Sequence, residues 1–188
     1  VYLVGTMQNI PLLNQPKFQL TLNRLSYQLI ENHDDFRDSV IIGLQPRGLY
    51  LSRRLVSELS RILPGTIIQH GILDNTFYRD DFRHNEILLV PNSTEINFIV
   101  EKKKVILVDD VLFTGRTVRA GMDALLAFGR PAKVELLVLV DRRFSRQVPI
   151  EPDYIGMQVD SRASQKVKVN WNESEGEDSV ILITENNE

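Results

Sequence analysis

Apolar residues in this chain come in two patterns, short unbroken blocks and longer stretches in which one returns every third or fourth position. The blocks Val40-Ile41-Ile42-Gly43-Leu44 and Val105-Ile106-Leu107-Val108 are rich in β-branched residues, and each fits a strand buried on both faces. Phe18, Leu22, Leu25 and Leu29 return at helical spacing and predict an amphipathic helix ending near Asn32, with Asn23, Arg24 and Tyr27 on its polar face. Leu51, Leu55, Leu59 and Ile62 predict a second helix, closed by Pro64-Gly65. Val118, Gly121, Met122, Leu125 and Phe128 predict a third, closed by Gly129 and Pro131. Residues 66–73 read as a strand, and Val134, Leu136, Val138 and Val140 alternate toward another that ends at Asp141-Arg142. Val167, Val169 and Trp171, an acidic turn over 173–178 and Val180-Ile181-Leu182-Ile183 carry the signals of a terminal hairpin.

Both unbroken blocks lead through a short loop straight into a helix. Two such units imply an α/β fold with a central, mostly parallel sheet, right-handed crossovers and flanking helices. Residues 1–16, with Pro11 and Pro16 and no clear period, read as an extended arm with a short strand near 2–4. Residues 74–104 are a long insertion, and such a connection is more often functional than idle. Within it, 87–90 and 96–100 read as hairpin strands. One domain, 1–188, is what the length leads one to expect.

Composition narrows the setting. A hydrophobic fraction of 43% and a charged fraction of 25% are ordinary for a soluble globular protein. No apolar run approaches the ~20 residues of a membrane helix, and nothing at the start resembles a secretory signal. The absence of cysteine excludes disulfides and thiolate metal sites, and a cytoplasmic location is the simplest reading. A net charge of −3 gives no general pull toward nucleic acid. His33, His70 and His84 are too scattered to suggest a metal site.

The candidate chemistry lies between 105 and 129. Here the strand is stopped by Asp109-Asp110, Val111-Leu112-Phe113 follows, and Thr114-Gly115-Arg116-Thr117 opens a helix. A helix N-terminus offers unpaired N–H groups and the positive end of the helix dipole, which attract a phosphate. Gly115 permits close backbone approach, the threonines offer hydroxyl donors, and Arg116 adds a charged one. The carboxylates stand at the carboxyl end of the strand, the edge where parallel sheets bind ligands. Together these features suit a sugar phosphate, with the turn on its 5-phosphate and Asp109 and Asp110 on the ribose hydroxyls. Paired carboxylates after a strand also occur in receiver domains, in other nucleotide-binding folds and as solvated loop acids. The flanking strand and helix favour the sugar-phosphate reading.

The run from Val108 to Thr117 resembles the phosphoribosyl pyrophosphate (PRPP) motif of type I phosphoribosyltransferases, and is most similar to the pyrimidine operon attenuator/uracil phosphoribosyltransferase family, PyrR. The likeness extends over about residues 18–185. It implies the type I phosphoribosyltransferase fold with a hood and flexible-loop insertion. It also implies that Val111, Leu112 and Phe113 join Thr114–Thr117 in binding substrate. Gln45-Pro46-Arg47-Gly48 resembles the pyrophosphate loop, with Arg47 on the leaving group, Gly48 and Pro46 beside it, and a cis bond conceivable before Pro46. Phe77-Tyr78-Arg79-Asp80-Asp81 resembles the mobile loop, with Phe77 in place of Leu, in which Arg79 and Asp80 would close over the pyrophosphate. Asp141 and Arg142 would face base and pyrophosphate, and Tyr154 and Ile155 would cover the base.

The resemblance implies conversion of uracil and PRPP to UMP and pyrophosphate, with Mg²⁺ held mainly by the substrate and no dedicated protein metal site. Asp109, Asp110, Arg47 and Arg79 would carry the catalysis. It further implies UMP-responsive binding of a pyrimidine operon leader RNA and a homodimer or higher homo-oligomer. Arg24, Tyr27, Arg143 and Arg146 are the candidate RNA contacts. Gly156-Met157-Gln158-Val159-Asp160-Ser161 lacks the family's Lys and gains an Asp, which weakens a phosphate-binding surface. Because the PRPP motif does not name the base, a hypoxanthine or guanine phosphoribosyltransferase is the alternative enzyme. A non-catalytic nucleotide-sensing RNA-binding regulator is the alternative of another class.

Overall fold

The elements run β1 (Met7–Leu13), α1 (Gln15–His33), β2 (Ser39–Leu44), α2 (Gly48–Ile62), β3 (Gln69–Leu73), β4 (Lys104–Leu112), α3 (Arg116–Leu125), β5 (Lys133–Arg143), β6 (Tyr154–Asp160), β7 (Gln165–Asn170), α4 (Asn172–Glu175) and β8 (Ser179–Glu185). The computed structural model describes residues 7–79, 92–162 and 164–185. Five strands form a parallel sheet in the order β3-β2-β4-β5-β6, and β1-β8-β7 form a small antiparallel sheet.

The unbroken blocks occupy the middle of the parallel sheet because both faces are covered. Ile41, Ile106 and Val108 enter one core with Phe18, Leu22, Leu25 and Leu29 of α1 and Leu51, Leu55 and Leu59 of α2. Val40, Ile42, Leu44, Val105 and Leu107 enter a second core with Val118, Ala124 and Leu125 of α3. Alternate positions of one strand thus feed opposite cores, as the two-residue period of a strand requires. The first core also takes Val167, Val169, Trp171, Val180 and Leu182, so one apolar interior joins both sheets. Trp171 is edge-on to Phe18 at 5.3 Å and stacks on Tyr50 at 5.7 Å, each such pair adding about 1 kcal/mol beyond its burial. Arg54 lies over the Trp171 ring and is bound by Glu173 and Asp178, which ties the small sheet to α2.

Several boundaries differ from the sequence reading. The arm contains a strand, β1, paired with β8; Pro11 is tolerated because β1 is an edge strand. The strand expected near 2–4 and the one at 87–90 lie outside the described residues. Residues 96–100 form no strand: the nearest pairing is a single bridge between Glu95 and Ile72, while Ile96 and Phe98 pack onto the second core. Met122 and Phe128, read as core positions of the third helix, are exposed, and Ala120, Gly121 and Ala124 take the buried face. Residues 154–160, to which the sequence reading assigned no element, form the edge strand β6. Most consequential, β4 does not stop at Asp109-Asp110 but pairs with β5 as far as Leu112.

Candidate active site

Because β4 continues through both carboxylates, they project to opposite faces of the sheet. Asp109 lines a cavity of about 440 Å³ bounded by Arg79 and by every residue from Val111 to Val118. Asp110 instead meets Arg47, whose Nε donates to its Oδ2 at 2.9 Å. Each carboxylate also accepts the next backbone N–H, Asp109 from Asp110 at 2.9 Å and Asp110 from Val111 at 2.8 Å. Burial pushes the Asp109 carboxyl well above the ordinary carboxylate range, and the Asp110 charge adds to this. Burial raises Asp110 as well, opposed by the Arg47 guanidinium and the Val111 N–H.

Across the cavity, the turn into α3 has the form its residues predicted. Gly115 is the N-cap of α3 at φ +86°, a left-handed backbone that glycine adopts without steric cost. Asn75, which sequence reasoning passed over, is buried and donates through its amide to the Thr117 carbonyl at 2.9 Å. Asp74 beside it accepts from the Thr76 N–H and hydroxyl on one oxygen and from the Asn92 N–H on the other. It thereby ties Thr76 to Asn92; Asp80 lies outside the described residues.

The cavity therefore brings together Arg79, Asp109, Val111, Leu112, Phe113, Thr114, Gly115, Arg116 and Thr117. The rest of the expected set is placed elsewhere. Arg47 is partly buried among Asp110, the Val169 carbonyl and Glu175, and does not line the cavity. The Gln45–Pro46 peptide is cis, and Gly48 lies so close to β4 that a Cβ there would sit 2.2 Å from the Val108 oxygen. Asp141 and Ile155 line a second cavity of about 350 Å³, with Arg143, Phe144, Arg146 and Gln158. Arg142 is buried, donating to Ser161 and to the carbonyls of Arg162 and Gln165, with its guanidinium 3.9 Å from the Phe113 ring centre. Tyr154 is not brought to the site: its hydroxyl donates to Glu135 at 3.0 Å and lies 3.1 Å from His33 Nε2.

The candidate RNA residues are not gathered on one free surface. Arg24 donates to the carbonyls of Ile155 and Gly156, and Arg143 forms a two-pronged pair with Asp160 at 2.6 and 2.7 Å. Arg146 turns inward to five acceptors, contrary to a role on the surface, while Tyr27 is exposed. Among the described residues no group of three His, Asp or Glu side chains is arranged to hold a metal ion. His33 sits in the Glu135–Tyr154 network, His70 against Ser52, and His84 lies outside the described residues.

The chain is similar to known proteins in both sequence and fold. The phosphoribosyl transferase domain family matches residues 11–174. A bifunctional protein PyrR of Desulfosudis oleivorans is 47% identical over 174 residues, covering 93% of this chain and 96% of the relative. Bifunctional protein PyrR 2 of Lactiplantibacillus plantarum is 41% identical over 162 residues, covering 86% and 91%. Hypoxanthine phosphoribosyltransferase of Trypanosoma cruzi superposes with a TM-score of 0.69 at 14% identity, covering 94% of this chain and 97% of that one, a likeness of fold alone. The domain match over most of the chain and the relatives at 41–47% identity show that the chain belongs to the phosphoribosyltransferase family and, within it, to the bifunctional PyrR proteins.

Proposed function

We propose that this chain transfers the phosphoribosyl group of PRPP to uracil, yielding UMP and pyrophosphate. The observation that carries the reading is the cavity in which a buried carboxylate, Asp109, and a cation, Arg79, face an anion-binding helix N-terminus. The N–H groups and hydroxyls of 114–117 hold the 5-phosphate, and this remote binding aligns the reacting carbon. Asp109 orients a ribose hydroxyl and offsets positive charge on the anomeric carbon as its bond to pyrophosphate breaks and uracil N1 bonds to it, the N1 proton leaving to solvent. Arg79 stabilises the departing pyrophosphate. Asp141 and Ile155 in the adjoining cavity receive the base. The Asp109 carboxylate is a hard oxygen donor that suits Mg²⁺, with the remaining ligands drawn from substrate and water. Bound there, the ion would neutralise charge on the leaving group.

Pyrophosphate release from PRPP and Mg²⁺ with uracil, hypoxanthine or guanine tests the reading, with Asp109→Asn as control. Turnover confined to uracil and lost in the variant is the expected result. Turnover with a purine alone would make this a purine enzyme, and no turnover with retained UMP binding would make it a nucleotide sensor.

The name of the relatives, bifunctional, favours a second activity, UMP-responsive binding of a pyrimidine operon leader RNA. Exposed Tyr27 and surface Arg143 are the contacts it would use. Filter retention of a leader transcript at low salt, compared with a scrambled RNA, decides it. A cytoplasmic setting accords with the lack of cysteine, and no helix among the described residues is long and apolar enough to cross a membrane. We propose one functional domain and a homodimer or higher homo-oligomer, the latter supported by exposed Met122, Leu126 and Phe128.

A further inference from the structure

Arg146 lies outside the phosphate cavity, yet its guanidinium reaches the chain that forms the turn. It donates to the carbonyls of Leu112 and Phe113, to those of Arg142 and Ile150, and to the Asp141 carboxylate. The residues after it continue the same contact. The N–H groups of Gln147 and Val148 both donate to the Thr114 carbonyl, at 3.0 and 3.2 Å. Gln147 also accepts from Arg116 Nε at 2.7 Å, and Val148 packs behind Gly115, where a Cβ would meet its Cγ2 at 3.0 Å. Three consecutive carbonyls of the turn, at Leu112, Phe113 and Thr114, are thus held by one neighbouring segment.

A planar trans peptide points its C=O and the following N–H in opposite directions. Holding those three carbonyls toward Arg146–Val148 therefore directs the N–H groups of Phe113, Thr114 and Gly115 the other way, and these three residues line the cavity. We infer that Arg146 is a positioning residue, the anchor of a brace that aims the N–H groups of the phosphate turn at the 5-phosphate of PRPP. The inference rests on the phosphoribosyltransferase reading for the identity of the ligand. The orientation of the turn is independent of it.

The test compares wild-type protein with Arg146→Ala, Arg146→Lys and Gln147→Ala in two measurements. One is the affinity for PRPP with Mg²⁺ by calorimetry, accompanied by KM for PRPP and for uracil. The other is amide hydrogen exchange, without ligand, at Gln147 and Val148, whose N–H groups are bonded to the Thr114 carbonyl. Arg146→Ala should weaken PRPP binding about tenfold or more, raise KM for PRPP more than KM for uracil, and speed exchange at Gln147 and Val148. Arg146→Lys should recover part of the loss, because one ammonium cannot replace the fork of a guanidinium. If Arg146→Ala does not fold, the Lys and Gln147→Ala variants carry the same comparison. Unchanged PRPP affinity together with unchanged exchange would overturn the inference. Wild-type protein that binds no PRPP would defeat the functional reading instead, and exchange at Gln147 and Val148 would still decide the brace.

Discussion

Arg47 Nε donates to Asp110 Oδ2 at 2.9 Å, so the loop after β2 and the strand that carries both site carboxylates are joined by one ion pair. The same guanidinium reaches the Val169 carbonyl and Glu175, which brings the C-terminal unit into the contact. Removing one partner leaves the other partly buried and uncompensated, which is the costly way to break such a pair. Arg47→Ala should therefore destabilise the fold by about 2 kcal/mol, a figure reduced for the partial exposure of the arginine. Adding Asp110→Asn should restore part of the loss, since no orphan carboxylate remains. Urea unfolding of the two single variants and the double variant measures this, and strict additivity would mean that the pair contributes no coupling.

The raised Asp109 carboxyl predicts a pH dependence of stability. In the folded state it holds its proton above the pH at which the unfolded chain releases it, near about 3.9. Stability is therefore lost as pH rises from that value through the raised folded one, and the penalty is complete above both. Asp109→Asn removes the group, so the variant should be more stable than wild type at neutral pH and lose that advantage near pH ~4. Its turnover should fall about 100-fold or more. Thermal unfolding from pH ~3 upward past the unfolded value of about 3.9 to pH ~7 checks the first part, and a variant less stable at pH ~7 would contradict it.

Gly48 is where the first turn of α2 rests on β4. A methyl group there would lie 2.2 Å from the Val108 oxygen and 3.0 Å from the Asp109 Cα, both backbone atoms that cannot swing aside. Gly48→Ala should cost about 1–3 kcal/mol as overpacking, and should reduce kcat/KM for PRPP because the displaced strand carries Asp109. Circular dichroism melts and steady-state kinetics on the same preparation separate the two effects.

Tyr154 bonds to Glu135 and lies against His33, away from the cavity. Tyr154→Phe should cost about 1–2 kcal/mol, the loss of a buried hydroxyl with charged partners, and leave KM for uracil unchanged. A several-fold rise in that KM would tie the hydroxyl to uracil binding after all.

The local signals were legible wherever short-range physics decides the outcome. The 3.6 period placed α1 and α2, the apolar blocks marked β2 and β4, and Thr114-Gly115-Arg116-Thr117 marked a turn into α3 whose glycine takes the backbone that only glycine adopts freely. Where periodicity and turn chemistry compete with long-range pairing, reading failed. Asp109 and Asp110 looked like the end of a strand because buried carboxylates are rare within one, yet pairing with β5 carries β4 through both. Pro11 looked like a strand breaker, yet an edge strand has no need of its N–H.

What the sequence determined by itself was the family, the order of strand, turn and helix, and the glycine turn at the N-terminus of α3, since each rests on residues close together in the chain. What only the tertiary structure decided was the division of the two carboxylates between faces, the capture of Arg47, and the brace at Arg146. Arg47 finds Asp110, Val169 and Glu175 at separations of 63, 122 and 128 residues. Contacts so distant in sequence leave no periodic trace, because they are set by how the two sheets pack around a shared core.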